Sequence, residues 1–475
     1  MTRSLSAVRR LSVGATLILA TTVSAAAADT ESARLREELR QTRESLEARI
    51  AALEARLAAS QTPSPRPPLV ERLDQFENRL SVVESMPPPE APPAPPSAQN
   101  PQMSLILGGT WANLSEDPAD YRLQGFIPGG EESGPGDRGF NVGETEMTLS
   151  ANVDPLFYGQ ATLAVGADNE IEVEEAFFRS SLPAGLTTRA GRFFSAVGYQ
   201  NQQHAHAWDF VDVPLVYAAM FGGQYKTDGA ELRWIAPLET FVEIGAEIGN
   251  GHAFPGADNG NGVGAWTLFA SAGGDVGESN SWKAGVAWLQ ADATERAYEE
   301  SEPLLGEENS PTAFSGESKT WSLQGVWKWA PEGNSRERSL KLQGEYFSRT
   351  ESGQLTQSNA VLGEGLMDFR GSPGGWYLQS VYQFMPSWRL GLRYDSLDSG
   401  NSRLRSQDGV LRPAAFPSLA AYDPERSSLM LDWSPTEFSR IRLQLARDKS
   451  REGLDDDQIY LQYIMSLGAH GAHQF

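Results

Sequence analysis

From residue 104 onward the chain runs as about sixteen short segments in which apolar and polar residues alternate, joined by connections that are alternately short and long. A period of two marks a strand with one face in an apolar medium and the other in water. In 459–467, Ile459, Leu461, Tyr463, Met465 and Leu467 share one face. In 388–394, Trp388, Leu390, Leu392 and Tyr394 oppose Arg389, Gly391 and Arg393, and in 340–346, Leu340, Leu342 and Tyr346 oppose Lys341, Gln343 and Glu345. Short turns fall at 154–155, 182–185, 236–237, 277–279, 330–336, 385–387 and 434–436. Long polar connections span 115–139, 197–228, 250–263, 292–318, 351–373 and 398–425, and only 166–169 and 450–457 are brief on that side. Short turns at one end and long loops at the other predict an all-β fold, a transmembrane antiparallel β-barrel. An even strand number brings both barrel ends to the short-turn, periplasmic side.

A soluble β-sandwich alternates too, so tryptophan is the discriminating residue. Trp234, Trp282, Trp329, Trp388 and Trp433 cluster at the short-turn end, and Trp111, Trp266, Trp288, Trp321 and Trp376 at the long-loop end. Two aromatic rings flanking an apolar band are what a lipid interface selects.

The residues before the barrel read as three pieces. Residues 1–28 form a signal peptide: Arg3, Arg9 and Arg10 precede the apolar stretch Leu11–Val23, and Ala26, Ala27 and Ala28 offer a cleavage site. Residues 29–86 carry Leu39, Leu46 and Leu53 at heptad spacing with Ile50 and Leu57 between, then Leu69, Leu73, Phe76, Leu80 and Val83, which predicts an N-terminal periplasmic coiled-coil helix. Residues 87–102 are a proline-rich linker, extended and stiff, and 103–475 are the barrel. Removing the signal peptide deletes three Arg and no acid, moving the formal charge from −23 to −26. That balance argues against nucleic acid as a partner. With no cysteine, an exported chain has neither disulfides nor thiolate metal sites.

Strand parity assigns a lumen. The first half directs Glu144, Glu146, Glu172, Glu174, Glu231, Glu243 and Glu247 inward, with Arg233 as the exception. The second half directs Lys283, Lys328, Lys341, Arg389, Arg393, Arg440 and Arg442 inward, against Glu345. Closing the sheet sets an acidic wall opposite a basic one, which predicts a transverse field across a water-filled pore. Five acids in one long connection, Glu299, Glu300, Glu302, Glu307 and Glu308, predict cation enrichment at the outer mouth. No serine-hydrolase, metalloprotease or phosphate-binding motif is present, so the expectation is a channel and not an enzyme, with no cofactor required. The alternative is a structural protein anchoring the outer membrane to the cell wall.

The stretch GETEMTLSANVDPLFYGQATLAV followed by EVEEAFFRSSLPAGLTTRAGRFFSAVGY resembles the N-terminal barrel strands of the phosphate-selective porin superfamily. QQHAHAWDFVDVPLVY and the ending IYLQYIMSLGAHGAHQF resemble the zinc-regulated outer-membrane protein or receptor group. The resemblance implies a porin in the outer membrane of a Gram-negative bacterium. It would be a homotrimer surrounded by lipid and lipopolysaccharide, and folded by the barrel-assembly machinery, which reads a terminal aromatic such as Phe475. It departs from that pattern in two ways. Nothing here matches the plug of a TonB-dependent receptor, and the chain has only six Lys, where phosphate-selective pores are lysine-rich. An anion-selective, phosphate-type pore is therefore the secondary expectation.

Within 197–228, His204 and His206 are two apart, so in an extended backbone both imidazoles point to one side. Asp209 and Asp212 follow and would complete a nitrogen and oxygen set for a divalent metal. With the resemblance, the expected ion is zinc, transported or loosely bound. His252 lies in a connection on the same side, and His470 and His473 at the opposite rim would form a separate site.

Overall fold

A computed structural model of the protein describes residues 100–129, 133–143, 145–166, 171–257, 261–300, 310–359 and 363–468, with Arg40 and Ala51. The signal peptide expected above lies outside the described residues, as do the coiled coil but for Arg40 and Ala51, the proline linker but for residues 100–102, and Glu144, Glu302, Glu307, Glu308, His470 and His473.

The first strands are β1 (Gln102–Leu114), β2 (Gly139–Val142), β3 (Thr145–Asn152), β4 (Phe157–Val165), β5 (Ile171–Ser181) and β6 (Leu186–Phe194). A short helix, α1 (Leu215–Phe221), lies in the connection to β7 (Lys226–Ile235). Then follow β8 (Phe241–Gly249), β9 (Ala265–Val276), β10 (Asn280–Glu300), β11 (Ser310–Trp329), β12 (Ser339–Asn359) and β13 (Gly363–Gly371). The last are β14 (Gly374–Met385), β15 (Trp388–Asp398), β16 (Arg403–Ser406), β17 (Glu425–Thr436), β18 (Ser439–Arg451) and β19 (Leu454–Gly468).

All pairings are antiparallel, and β1 pairs with β19 over Ser104–Leu114 and Gln458–Gly468, closing the sheet. Sixteen strands make the closed barrel. The short strands β2, β13 and β16 pair only along upper parts of their neighbours. Closure matters because an unpaired backbone polar group in hydrocarbon costs several kcal/mol, so only a sheet without edges satisfies every strand there.

The alternation is plain in β15. Leu390, Leu392 and Tyr394 are 41%, 57% and 38% exposed on the outside, while Arg393 between them is 3% exposed on the inside. Trp388 stacks on Trp433 near the short-turn end, with centroids 5.8 Å apart, and Trp288 meets Trp321 toward the long-loop end at 6.4 Å. No helix among the described residues is long and apolar enough to cross a membrane.

Two expected long connections are instead largely strand. β10, β11 and β12 run 20 to 21 residues, so most of 292–318 and the first part of 351–373 continue the sheet beyond the barrel. Their inner faces supply Ala293, Phe314 and Leu355 to a buried apolar cluster, which Phe369, Leu411, Phe416 and Leu419 complete. Period-two alternation persists there, but its apolar side faces this cluster and not lipid. Glu300, expected at an acidic mouth, is buried at the end of β10 and accepts from the Ser418 backbone N–H and hydroxyl.

Candidate functional site: a connection that crosses the lumen

The connection 195–225 folds into the barrel. Every residue of α1 is buried, as are Val197, Tyr199, Phe210 and Tyr225. Pro214 precedes the helix, and Gly222, at φ 69°, ends it in the left-handed conformation that a glycine accepts without strain. A Cβ at Gly222 would also sit 2.0 Å from the Gly129 carbonyl oxygen. Asp395 accepts from the Leu215 N–H at 3.0 Å, and the Arg349 guanidinium donates to the Met220 carbonyl. An acid thus meets the helix N-terminus and a cation its C-terminus, the favourable sense for the helix dipole.

Glu345 is the central anchor. Its carboxylate accepts from the backbone N–H groups of Tyr199 and Gln200 at 2.8 and 2.9 Å, and from the hydroxyls of Tyr217 and Tyr377 at 2.9 and 2.6 Å. On the neighbouring wall, Glu247 accepts from the Ala196 N–H at 2.8 Å and from the Ser195 hydroxyl at 2.5 Å. These carboxylates serve the connection, holding it across the barrel.

The connection is charge-complementary to both walls. At the acidic wall, His204 Nδ1 lies 2.8 Å from Glu174 and 3.3 Å from Glu146, its Nε2 lies 3.2 Å from Glu175, and His206 Nδ1 lies 2.6 Å from Glu146. At the basic wall, Asp209 meets Lys341 at 2.9 Å and Arg389 at 3.1 Å. Asp212 meets Arg393 at 2.9 Å and Arg426 at 2.8 Å. Between them the Trp208 carbonyl accepts from Arg440 and Arg442. Burial alone would lower the His204 pKa, but its hydrogen bonds to Glu146, Glu174 and Glu175 raise it well above the ordinary range. Burial would raise Asp209 and Asp212, but the facing Lys and Arg groups hold both carboxyls below it.

Most of the expected lumen residues do face inward: Glu146, Glu174, Glu243, Glu247, Arg393 and Arg442 are buried inside, and Lys341, Arg389 and Arg440 partly so. Glu172 is largely exposed and pairs with Lys226. The expected bare transverse field is altered in two ways. Each wall holds its own counterions, Arg189 and Arg233 beside Glu231 and Glu243, and Asp395 and Asp432 beside Arg393, Arg389 and Arg440. The crossing connection then neutralises much of what remains.

The expected metal set is also rearranged. His204 and His206 do share a side, with rings stacked at 5.6 Å, but around the 3-10 turn Ala205–Ala207 and not along an extended strand. Asp209 and Asp212 point to the opposite wall, where cations neutralise them, so they do not join the histidines. Among the described residues, the group able to hold a metal is Glu146, Glu174 and His204, with ligand atoms all within 4.8 Å of one another. His252 lies exposed in the next long connection, outside that group.

Glu175 was missed because strict alternation allows only one of two adjacent residues inside. The register between β4 and β5 shifts at Thr162/Leu163, where Glu175 pairs with Thr162 and Val173 with Leu163. Glu174 is the extra residue of this β-bulge, and both glutamates become buried. Nothing in the sequence marks the bulge. Below the crossing, a cavity of about 530 Å³ opens at the short-turn end, lined by Asp209, Lys341, Arg389, Lys328, Asp275 and Glu278.

No family model matches the chain. An uncharacterized protein of Aquifex aeolicus (strain VF5) is 28% identical over 444 residues, covering 87% of each chain. Among solved structures, a loop L8 deletion mutant of the Vibrio cholerae outer-membrane protein OmpT is similar to 77% of this chain and 99% of its own, at TM-score 0.48 and 10% identity. Pseudomonas putida OprB covers 83% of this chain and 97% of its own (TM-score 0.47, 12% identity). For the outer-membrane channel DcaP of Acinetobacter baumannii the shares are 78% and 97%, also at 0.47 and 12%.

Proposed function

We propose that the chain is an outer-membrane, porin-type channel for small hydrophilic solutes or ions, divalent cations among them. One observation carries this reading: a barrel that is apolar outside and charged inside is crossed by a connection ionically tied to both walls. An apolar exterior suits hydrocarbon, a charged interior suits water, and the crossing segment sets what passes. In this reading the N-terminal segment sits in the periplasm, the assembly is a homotrimer, and the chain works by selective passage, without catalysis. The cavity at the short-turn end is then the inner vestibule.

The test is reconstitution of the purified full chain in planar bilayers. Discrete conductance steps are expected, with larger steps when Arg393→Ala removes one of the contacts that hold the connection to the basic wall. Bilayers that stay electrically silent with wild type and variant alike would overturn the reading.

A further inference from the structure

We propose that Glu146, Glu174 and His204, with His206 beside Glu146, form a binding site for one divalent transition-metal cation. This deepens the ion-channel reading and rests on it only for transport, since binding does not require that the barrel conduct.

The spacing fits coordination. Zinc holds imidazole nitrogen and carboxylate oxygen at about 2.0–2.2 Å, so neighbouring ligands of one ion stand roughly 3.0–3.5 Å apart. His204 Nδ1 stands 2.8 Å from Glu174 Oε2 and 3.3 Å from Glu146 Oε2. Small rotations of these side chains would admit an ion at their common centre. The donors are the His204 imidazole and two carboxylates, with a second imidazole at Glu146, in a chain without cysteine, which suits zinc, manganese, iron(II), cobalt(II) or nickel. The imidazoles speak against calcium or magnesium, which take oxygen donors.

Three features distinguish the group from a chance cluster. The carboxylates of Glu146, Glu174 and Glu175 are 1 to 6% exposed and outnumber the two imidazoles that face them, so a bound dication brings positive charge to buried groups that attract it. The bulge in β5 presents Glu174 and Glu175 together, which a regular strand cannot do. Glu175 is the outer partner that orients the ring: it stands 3.2 Å from His204 Nε2, and is itself fixed by Gln160, which donates to Oε2 at 3.1 Å, and by the Phe194 N–H, which donates to Oε1 at 3.4 Å. The His204 side chain is 22% exposed, which leaves an entry path. Because the carboxylates belong to the wall and the imidazoles to the crossing connection, an ion here ties the two together.

Metal-stripped full-length protein in detergent, titrated with Zn²⁺ by calorimetry and with Co²⁺ by visible absorption, tests the site. One saturating equivalent is expected, with the Co²⁺ spectrum of a nitrogen and oxygen site. His204→Gln and Glu174→Gln should each weaken Zn²⁺ binding at least tenfold, while His252→Ala leaves it unchanged. Heat-modifiable gel mobility reports whether each variant forms its barrel, and Glu146→Gln replaces any that does not. Absence of saturable binding, or wild-type affinity in a folded His204→Gln protein, would show only an ion-pair network and overturn the proposal. Zn²⁺ binding by a protein that stays silent in bilayers would support the site and remove the channel.

Discussion

Gly198 sits where the crossing connection passes nearest to its main anchor. A Cβ there would lie 2.0 Å from the Tyr217 hydroxyl oxygen and 2.6 Å from Glu345 Oε2. Gly198→Ala must push this anchor apart, and overpacking of this kind costs about 1–3 kcal/mol. We expect a lower unfolding temperature and noisier, larger conductance steps. Arg393 is 1% exposed at its side chain and serves Asp212 and Asp395 together. Arg393→Ala leaves buried carboxylates short of a partner, a loss of about 3–5 kcal/mol, read by denaturant unfolding. The contacts of Asp209 and Asp212 also carry a pH signature. Both carboxyls are held below their usual value by facing cations. Their stabilisation is therefore complete above about pH 3.9, the unfolded value, and is lost as pH falls from there toward the folded one. Conductance recorded during acidification should change at this contact only below about pH 4; a change confined to neutral pH would assign the switch elsewhere.

At the scale of elements, the connection 195–225 and the barrel are separable by design. The strands satisfy their backbone groups through the closed sheet, whereas the connection depends on side chains of the lumen. Replacing 200–220 by a short Gly-Ser linker should leave a barrel with normal heat-modifiable mobility and a several-fold larger conductance. Loss of the barrel itself would show that the connection is part of its folding core. The bulge in β5 was illegible for a simple reason. A one-residue insertion changes no composition and leaves an alternating pattern on each side, so only the pairing with β4 reveals it. The upward extension of β10, β11 and β12 was hidden differently. Polar residues there resemble a loop, yet their apolar partners in 411–419 come from a distant part of the chain.

At the scale of the whole molecule, charge is the controlling quantity. The chain carries a formal −23, and an excess of acids near a pore enriches cations. We expect a weak cation preference in reversal-potential measurements that fades at high salt, as screening shortens the reach of these charges. A clear anion preference would favour the phosphate-type reading instead. If the homotrimer is held by the N-terminal segment, deleting residues 29–98 should weaken the oligomer in mild detergent while the barrel stays folded.

The alternation of polarity determined the barrel, its strand number and most of the side chains that face inward, because those properties follow from a period of two and from what each medium tolerates. Parity alone places Glu146, Arg389 and Arg393, and a spacing of two pairs His204 with His206. The ligands those histidines meet were decided only in three dimensions. Asp209 and Asp212, nearest in sequence, are drawn across the lumen by Lys341, Arg389, Arg393 and Arg426, while Glu146, Glu174 and Glu175 arrive from strands 29 to 60 residues away. Sequence spacing sets which residues can lie together. Closing the sheet and folding one connection into it brings opposite charges into a low-dielectric interior, and there charge pairing, not proximity along the chain, selects the partner.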